Sequence, residues 1–202
     1  AKATSNGGAR KVFSAGAMPA VLYGAAVTGV TNSQLARLRT LAGAASSVRA
    51  GGRSLTTALY LDRLDPAVQA NASPIVRLAH EWLFATLPPV DRPGDFISTH
   101  QLVVGMTSLV SKPPKSWKSV RGPLAAACLT ASRLGWVFSD YCTITTDLGV
   151  SLVLGTASPA LFEWHVRAAV GRSTERHIAS ITGDPLLVGC RAFLEPLTDV
   201  LR

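Results

Sequence analysis

The sequence predicts a mainly α fold with one β-hairpin, an α+β chain arranged like a helical bundle. Two observations carry that prediction. Helix starts recur as a capping residue followed by proline, at Asp65-Pro66, Ser73-Pro74, Gly122-Pro123, Ser158-Pro159 and Asp184-Pro185. The Ser and Asp side chains can accept from free backbone N–H groups, and proline suits the first helical position because it has no N–H to lose. Over residues 136–154 the apolar period shortens to two, with Trp136, Phe138, Ile144, Leu152 and Leu154 on alternate positions. The apolar content of 48% in 202 residues is enough to bury a core and fits one domain with a small appendage.

Taken in order, residues 1–9 read as a flexible lead-in. A helix is predicted from Arg10 to about Thr28, kinked near Pro19 because proline cannot donate to the preceding turn, and ended by Gly29. Thr31 and Gln34 have the spacing of a capping box, and Leu35, Leu38, Leu41 and Ala42 follow as an apolar stripe. Arg37 and Arg39 are predicted to point away from that stripe. Ser54 caps a short helix through Leu64. Ser73-Pro74 opens a strong helix with Ile75, Leu78, Ala79, Trp82 and Leu83 on one face, stopped by Leu87-Pro88-Pro89. Residues 88–120 hold five of the twelve prolines and read mostly as loop, with a short helix near 98–110. Gly122-Pro123 starts a helix that ends at Gly135. The hairpin turns near Asp147-Leu148-Gly149. Ser158-Pro159 opens a long helix to about Ser180, and Asp184-Pro185 a last one. The predicted organisation is an N-terminal helical subdomain over 10–90, a proline-rich linker over 91–120, and a helix–hairpin–helix subdomain over 121–202.

Charge is scarce and segregated. Only 16% of residues are charged, yet the net charge is +8. Before Asp62 the chain carries Lys2, Arg10, Lys11, Arg37, Arg39, Arg49 and Arg53 and no acid. Lys112, Lys115, Lys118 and Arg121 form a second all-basic run. One-signed surfaces attract phosphates from a distance, so an anionic partner is predicted: RNA, DNA or an acidic membrane surface. The alternative is a basic protein packed inside a larger assembly. Residues 12–30 are uncharged and nearly long enough to span a bilayer, but their alanines, glycines and Pro19 predict a helix packed in protein.

Arg37, Arg39, Arg49 and Arg53 can line a nucleic-acid groove, where chemistry asks only for cations and donors. In the run 112–121 a base can stack on Trp117 while Lys112, Lys115, Lys118 and Arg121 hold phosphates. The competing expectation is that Trp117 pins this proline-rich loop to the core and the lysines are merely solvated. Gly51-Gly52-Arg53-Ser54 offers backbone donors ahead of a helix, but no Walker pattern accompanies it. No catalytic constellation emerges. Asp62 and Asp65 stand near a helix start, Asp140 and Asp147 border turns, and Ser173, Glu175 and His177 are neighbours along one helix. Cys128, Cys142 and Cys190 have no zinc-ligand spacing with the four histidines, so no metal or cofactor is predicted. Buried free thiols point to a reducing, intracellular compartment, nucleus and organelle being indistinguishable.

Met18-Pro19-Ala20-Val21-Leu22-Tyr23-Gly24-Ala25 resembles the P-A-L-L-Y-G helix that follows the catalytic palm in non-LTR retrotransposon reverse transcriptases. Trp117 with Arg121-Gly122-Pro123-Leu124, and Arg133-Leu134-Gly135-Trp136, are similar to the W-x-x-x-R-G-P and R-x-G-W pattern of the post-palm region in such polyproteins of dinoflagellate-like genomes. Ser158-Pro159-Ala160-Leu161 and His165-Val166-Arg167-Ala168-Ala169-Val170 fit the same pattern. The resemblance covers residues 10–180 and implies a thumb and downstream segment without the palm, whose Y-A-D-D-like carboxylates this chain lacks. It implies contact with a template–primer backbone. The function expected is a non-catalytic nucleic-acid-backbone-binding domain. The alternative is a structural subunit of a large organellar or membrane-bound complex, with other protein subunits as its partners and no nucleic-acid role.

Overall fold

The computed structural model describes residues 7–46, 54–87 and 97–182. The fold class is as predicted, mainly α with a small antiparallel sheet. The predicted helix from Asp184-Pro185 lies outside the described residues, as do Arg49 and Arg53.

The single helix predicted over 10–28 is instead a chain of short pieces: α1 (Gly7–Val12), a π-helical turn (Phe13–Ala17), α2 (Met18–Leu22) and α3 (Ala25–Thr28). The π turn lies just ahead of Pro19, where the proline cannot supply the next N–H of an α ladder. The true break comes later, at Tyr23-Gly24. Gly24 has φ of 80°, a left-handed conformation that costs glycine little and a side chain much. Pieces of four to six residues cannot hold themselves. They are held by burying Phe13 with Ala42, Ala45, Leu59 and Leu64, and by burying Leu22, Ala25 and Val30 with Leu38 and Ala70. No helix among the described residues is long and apolar enough to cross a membrane.

α4 (Asn32–Ala45) opens with the predicted capping box: Gln34 N–H donates to Thr31 Oγ1 at 3.2 Å and Thr31 N–H to Gln34 Oε1 at 2.9 Å. Its buried line runs through Leu38, Ala42 and Ala45, and Leu41 is turned out to solvent, contrary to the predicted stripe. α5 (Leu55–Asp62) follows Ser54, whose hydroxyl makes no capping bond.

α6 (Ala67–Ala85) starts a full two turns earlier than predicted. Asp65 Oδ1 accepts from Ala67 N–H at 3.0 Å, so the Asp65-Pro66 start is the one used. Pro74 sits inside the helix, fully within the protein. An interior proline removes one ladder bond and costs about 3 kcal/mol in a bare helix. Here burial of the helix on several sides outweighs that cost. α6 packs against α3, α4, α7 (Thr99–Ser111), α8 (Pro123–Arg133) and α9 (Pro159–Thr182). Its residues Ile75, Leu78, Ala79 and Trp82 join Leu102, Met106, Trp136, Ile144, Leu152, Phe162 and Val166 in the main core. That core takes residues from both sides of the predicted linker 91–120.

α7 is opened by a second capping box, Ser98 with Gln101. α8 ends as predicted at Gly135: Trp136 N–H donates to Ala131 O at 2.8 Å and Gly135 N–H to Ser132 O at 3.1 Å, the paired bonds of a Schellman ending. The predicted hairpin is two strands of a three-stranded meander, β1 (Val137–Phe138), β2 (Thr143–Thr145) and β3 (Ser151–Val153), ordered β1-β2-β3. Ile144 stands opposite both Phe138 and Leu152, so the apolar face is continuous and lies on the core. Asp140 turns β1 into β2 by accepting from the N–H groups of Cys142 and Thr143, each at 2.7 Å.

The second turn is tied to α9. Arg172 donates to both oxygens of Asp147, at 2.6 and 2.9 Å, and Trp136 Nε1 donates to Oδ1 at 3.1 Å. Burial pushes the Asp147 carboxyl up, but the bonds from Arg172 and Trp136 outweigh it and hold the group below its ordinary value. A carboxyl depressed in the folded state stabilises it above the unfolded-state pKa, and that stability is lost as pH falls through the depressed value. Urea unfolding should therefore show wild type weakening steadily below about pH 5. Asp147→Asn should be less stable at pH 7 by about 1–3 kcal/mol and should lose less on acidification.

Candidate nucleic-acid interface

Of the predicted binding residues, Arg49 and Arg53 lie outside the described ones, and the others differ in what they engage. Arg37 is exposed on α4 and makes no ion pair among the described residues. Arg39, predicted to point away from the core, is drawn inward instead. Its NH2 donates to Thr56 Oγ1 at 3.2 Å and lies 3.0 Å from Asp65 Oδ2. The two charges touch without hydrogen-bond alignment, since Asp65 Oδ2 and Arg39 Nε are buried with no hydrogen-bond partner among the described residues. Arg39 thus joins α4 to the α5–α6 corner, because a guanidinium can cover apolar surface along its stem and reach a half-buried carboxylate at its tip. That engagement withdraws it from the cations available to phosphate.

The run between α7 and α8 is organised differently. Lys112, Lys115, Lys118 and Arg121 are all exposed, and the three lysines make no ion pair among the described residues. Arg121 curls back, one amino group donating to Lys118 O and Val120 O at 3.0 Å each. Trp117 begins a one-turn 3-10 helix (Trp117–Ser119) and is half-buried.

Its ring is already occupied. The Arg133 guanidinium carbon lies 4.4 Å from the ring centroid, a cation–π contact. The ring also presses on Gly29: a Cβ there would fall 2.2 Å from Trp117 Cζ3. Gly29 has φ of 68° as well, so both the conformation and the space require glycine. Arg133 donates in turn to Val30 O and, at 3.1 Å, to Asn71 Oδ1. Its burial pulls the guanidinium pKa down to about 10, which still leaves it charged at neutral pH. One arginine therefore joins α8, the α3–α4 turn, α6 and the basic loop. Trp117 anchors that loop. Neither Gly29 nor Arg133 stood out as functional in the sequence, and no local pattern links them.

Asp62, Glu175 and Glu81 serve structural roles. Asp62 accepts from Arg10 at 3.1 Å, and Glu175 from the Tyr60 hydroxyl at 2.7 Å. Glu81, fully buried, accepts from Arg77 at 2.6 Å and from Ile97 N–H at 2.8 Å. Ser173 and His177 are exposed. No group of three His, Cys, Asp or Glu side chains among the described residues is arranged to hold a metal ion. Burial raises the Cys128 thiol to about 12, too high for a thiolate nucleophile.

No protein-family model matches the chain, and neither a curated protein nor a solved structure is significantly similar to it.

Two substitutions separate the arginines of α4. Arg39→Ala should lower unfolding free energy by about 1–3 kcal/mol because it strands a buried carboxylate, whereas Arg37→Ala should stay within about 0.5 kcal/mol of wild type. Gly29→Ala should destabilise by about 2 kcal/mol or more and shift Trp117 fluorescence, since the side chain must both adopt a left-handed backbone and displace the ring. Chemical denaturation followed by intrinsic fluorescence measures both.

Proposed function

We propose that the chain is a non-catalytic domain that binds the sugar–phosphate backbone of RNA or DNA, related to the thumb and post-palm part of a retroelement reverse transcriptase. The observation that supports this most directly is the exposed set Lys112, Lys115 and Lys118, which makes no ion pair among the described residues, on a loop held by Trp117 and Arg133. Cations displayed on a fixed support lose little freedom on meeting an anion, and release of counterions from the nucleic acid drives association. Arg121 and Arg37 add exposed positive charge. The net charge of +8 supplies long-range attraction.

A second function has its own support. Val12, Val21, Tyr23 and Val27 are exposed on the N-terminal pieces, Tyr23 by 92%. Large apolar side chains in that position suit a neighbouring protein, as in a structural subunit of a larger complex.

Salt-titrated binding to RNA and DNA oligonucleotides decides between the two. Changing Lys112, Lys115 and Lys118 together to Gln should weaken binding to every sequence and flatten the log–log salt slope by roughly 2, at about 0.7 per phosphate on a single strand. The unfolding midpoint should not move. A triple variant with the wild-type slope, or a wild type that binds no nucleic acid at low salt, overturns the proposal and leaves the structural role.

A further inference from the structure

We infer that the loop 112–121 is a ribbon with a three-residue period that lays one strand of nucleic acid along a single row of cations and does not read its bases. This rests on the backbone-binding function proposed above and says how the strand is held.

The period is visible in burial. Pro114, Trp117 and Val120 are half-buried, while the two residues between each pair are exposed, as are Lys112, Pro113 and Arg121 at the ends. Every third side chain is therefore partly covered by the protein. Local backbone chemistry favours the spacing on either side of Ser116. Pro113-Pro114 fixes φ near −65° and favours polyproline II, which has three residues per turn. Trp117–Ser119 is a 3-10 helix, which has three as well, with Ser119 N–H donating to Ser116 O at 3.0 Å. Val120 continues at φ −67° and ψ 125°, again in the polyproline region. Ser116, which joins the two stretches, is extended at φ −153° and ψ 158°, so the period is carried by the burial pattern and not by one continuous helix.

Cations fall on the same period. Lys112, Lys115, Lys118 and Arg121 are each three apart and all exposed, and we assign them to one row. Pro113, Ser116 and Ser119, also exposed, fall between them. From the ideal rises, neighbouring cations are separated by roughly 6–9 Å along the ribbon. A flexible strand can adjust its phosphates to such a row. The ribbon offers no second row to meet the other strand of a duplex. Base stacking is absent from this arrangement because the one indole belongs to the partly covered set, where Arg133 and Gly29 already meet its ring.

Two lysine–serine neighbours allow a test at constant charge. The swap Lys115→Ser with Ser116→Lys moves one cation out of the row without altering composition. Lys118→Ser with Ser119→Lys does the same one period later, and the first swap spares the Ser119 hydroxyl bond to Ser116 O. Anisotropy would be recorded over a salt series with labelled oligothymidylate, an abasic oligomer of equal length and an equally long duplex. Each swap is expected to weaken oligothymidylate binding and lower the salt slope by roughly 0.7. The abasic oligomer should bind within twofold of oligothymidylate, and the duplex more weakly. Swaps that bind like wild type overturn the row while leaving electrostatic backbone binding intact. Abasic binding tenfold weaker, or a duplex bound as tightly, overturns base-blind single-strand contact. A wild-type protein that binds none of the three overturns the backbone-binding function and the row with it.

Discussion

The burial of α6 on most of its circumference is the constraint on which the rest of the fold depends. Small residues at Ala70, Ala72, Ala79 and Ala85 let other helices approach closely, while Ile75, Leu78 and Trp82 fill the main core. A helix so enclosed must satisfy its polar groups internally. Glu81 is satisfied by Arg77 and by the N–H of Ile97, just ahead of α7, so a single carboxylate fixes where that helix begins to pack. Trp82 is the exception, its indole N–H being buried without a hydrogen-bond partner among the described residues. Its ring stacks with Tyr141 at 6.0 Å, so the side chain is retained for its area.

The basic loop inherits its order from this scaffold. α8 packs on α6, Arg133 leaves the last turn of α8, and Trp117 rests on Arg133. The exposed lysines therefore stand on a support built by residues distant in sequence. A loop positioned in this way by a rigid framework is the usual setting for a binding segment, the role proposed for it above. The short N-terminal pieces are framed likewise, through Leu22, Ala25 and Val30 against Leu38 and Ala70.

Much of the fold was legible because its signals are local. The capping box at Thr31 and Gln34, the glycine ending at Gly135, the proline start at Pro159 and the alternation through Ile144 and Leu152 each depend on a few neighbouring residues. The same Ser-x-x-Gln spacing at Ser98 and Gln101 would have fixed the start of α7. Where the expectation failed, a tertiary effect decided. Pro74 reads as a helix start, and only enclosure of α6 lets it lie inside. The break at Tyr23-Gly24 was hidden by a helical composition, and Leu41 was assigned to a stripe whose buried line in fact passes through Ala42 and Ala45. The site was less legible. Lys112, Lys115 and Lys118 were proposed from charge alone, and the structure shows them exposed; Arg39 looked like its neighbour Arg37 until Asp65 was brought beside it. The contact of Arg133 with Val30 spans 103 positions, beyond any periodicity or spacing argument.

The Gly29–Trp117–Arg133 junction has an evolutionary consequence. Each member fixes what the others can be: a side chain at 29 needs a smaller ring at 117, and a smaller ring leaves the cation at 133 without its aromatic face. Single replacements at these three positions therefore pass through a less stable intermediate. In diverging sequences of this fold they should change in concert or not at all, whereas the exposed lysines of the same loop can change one by one without that cost.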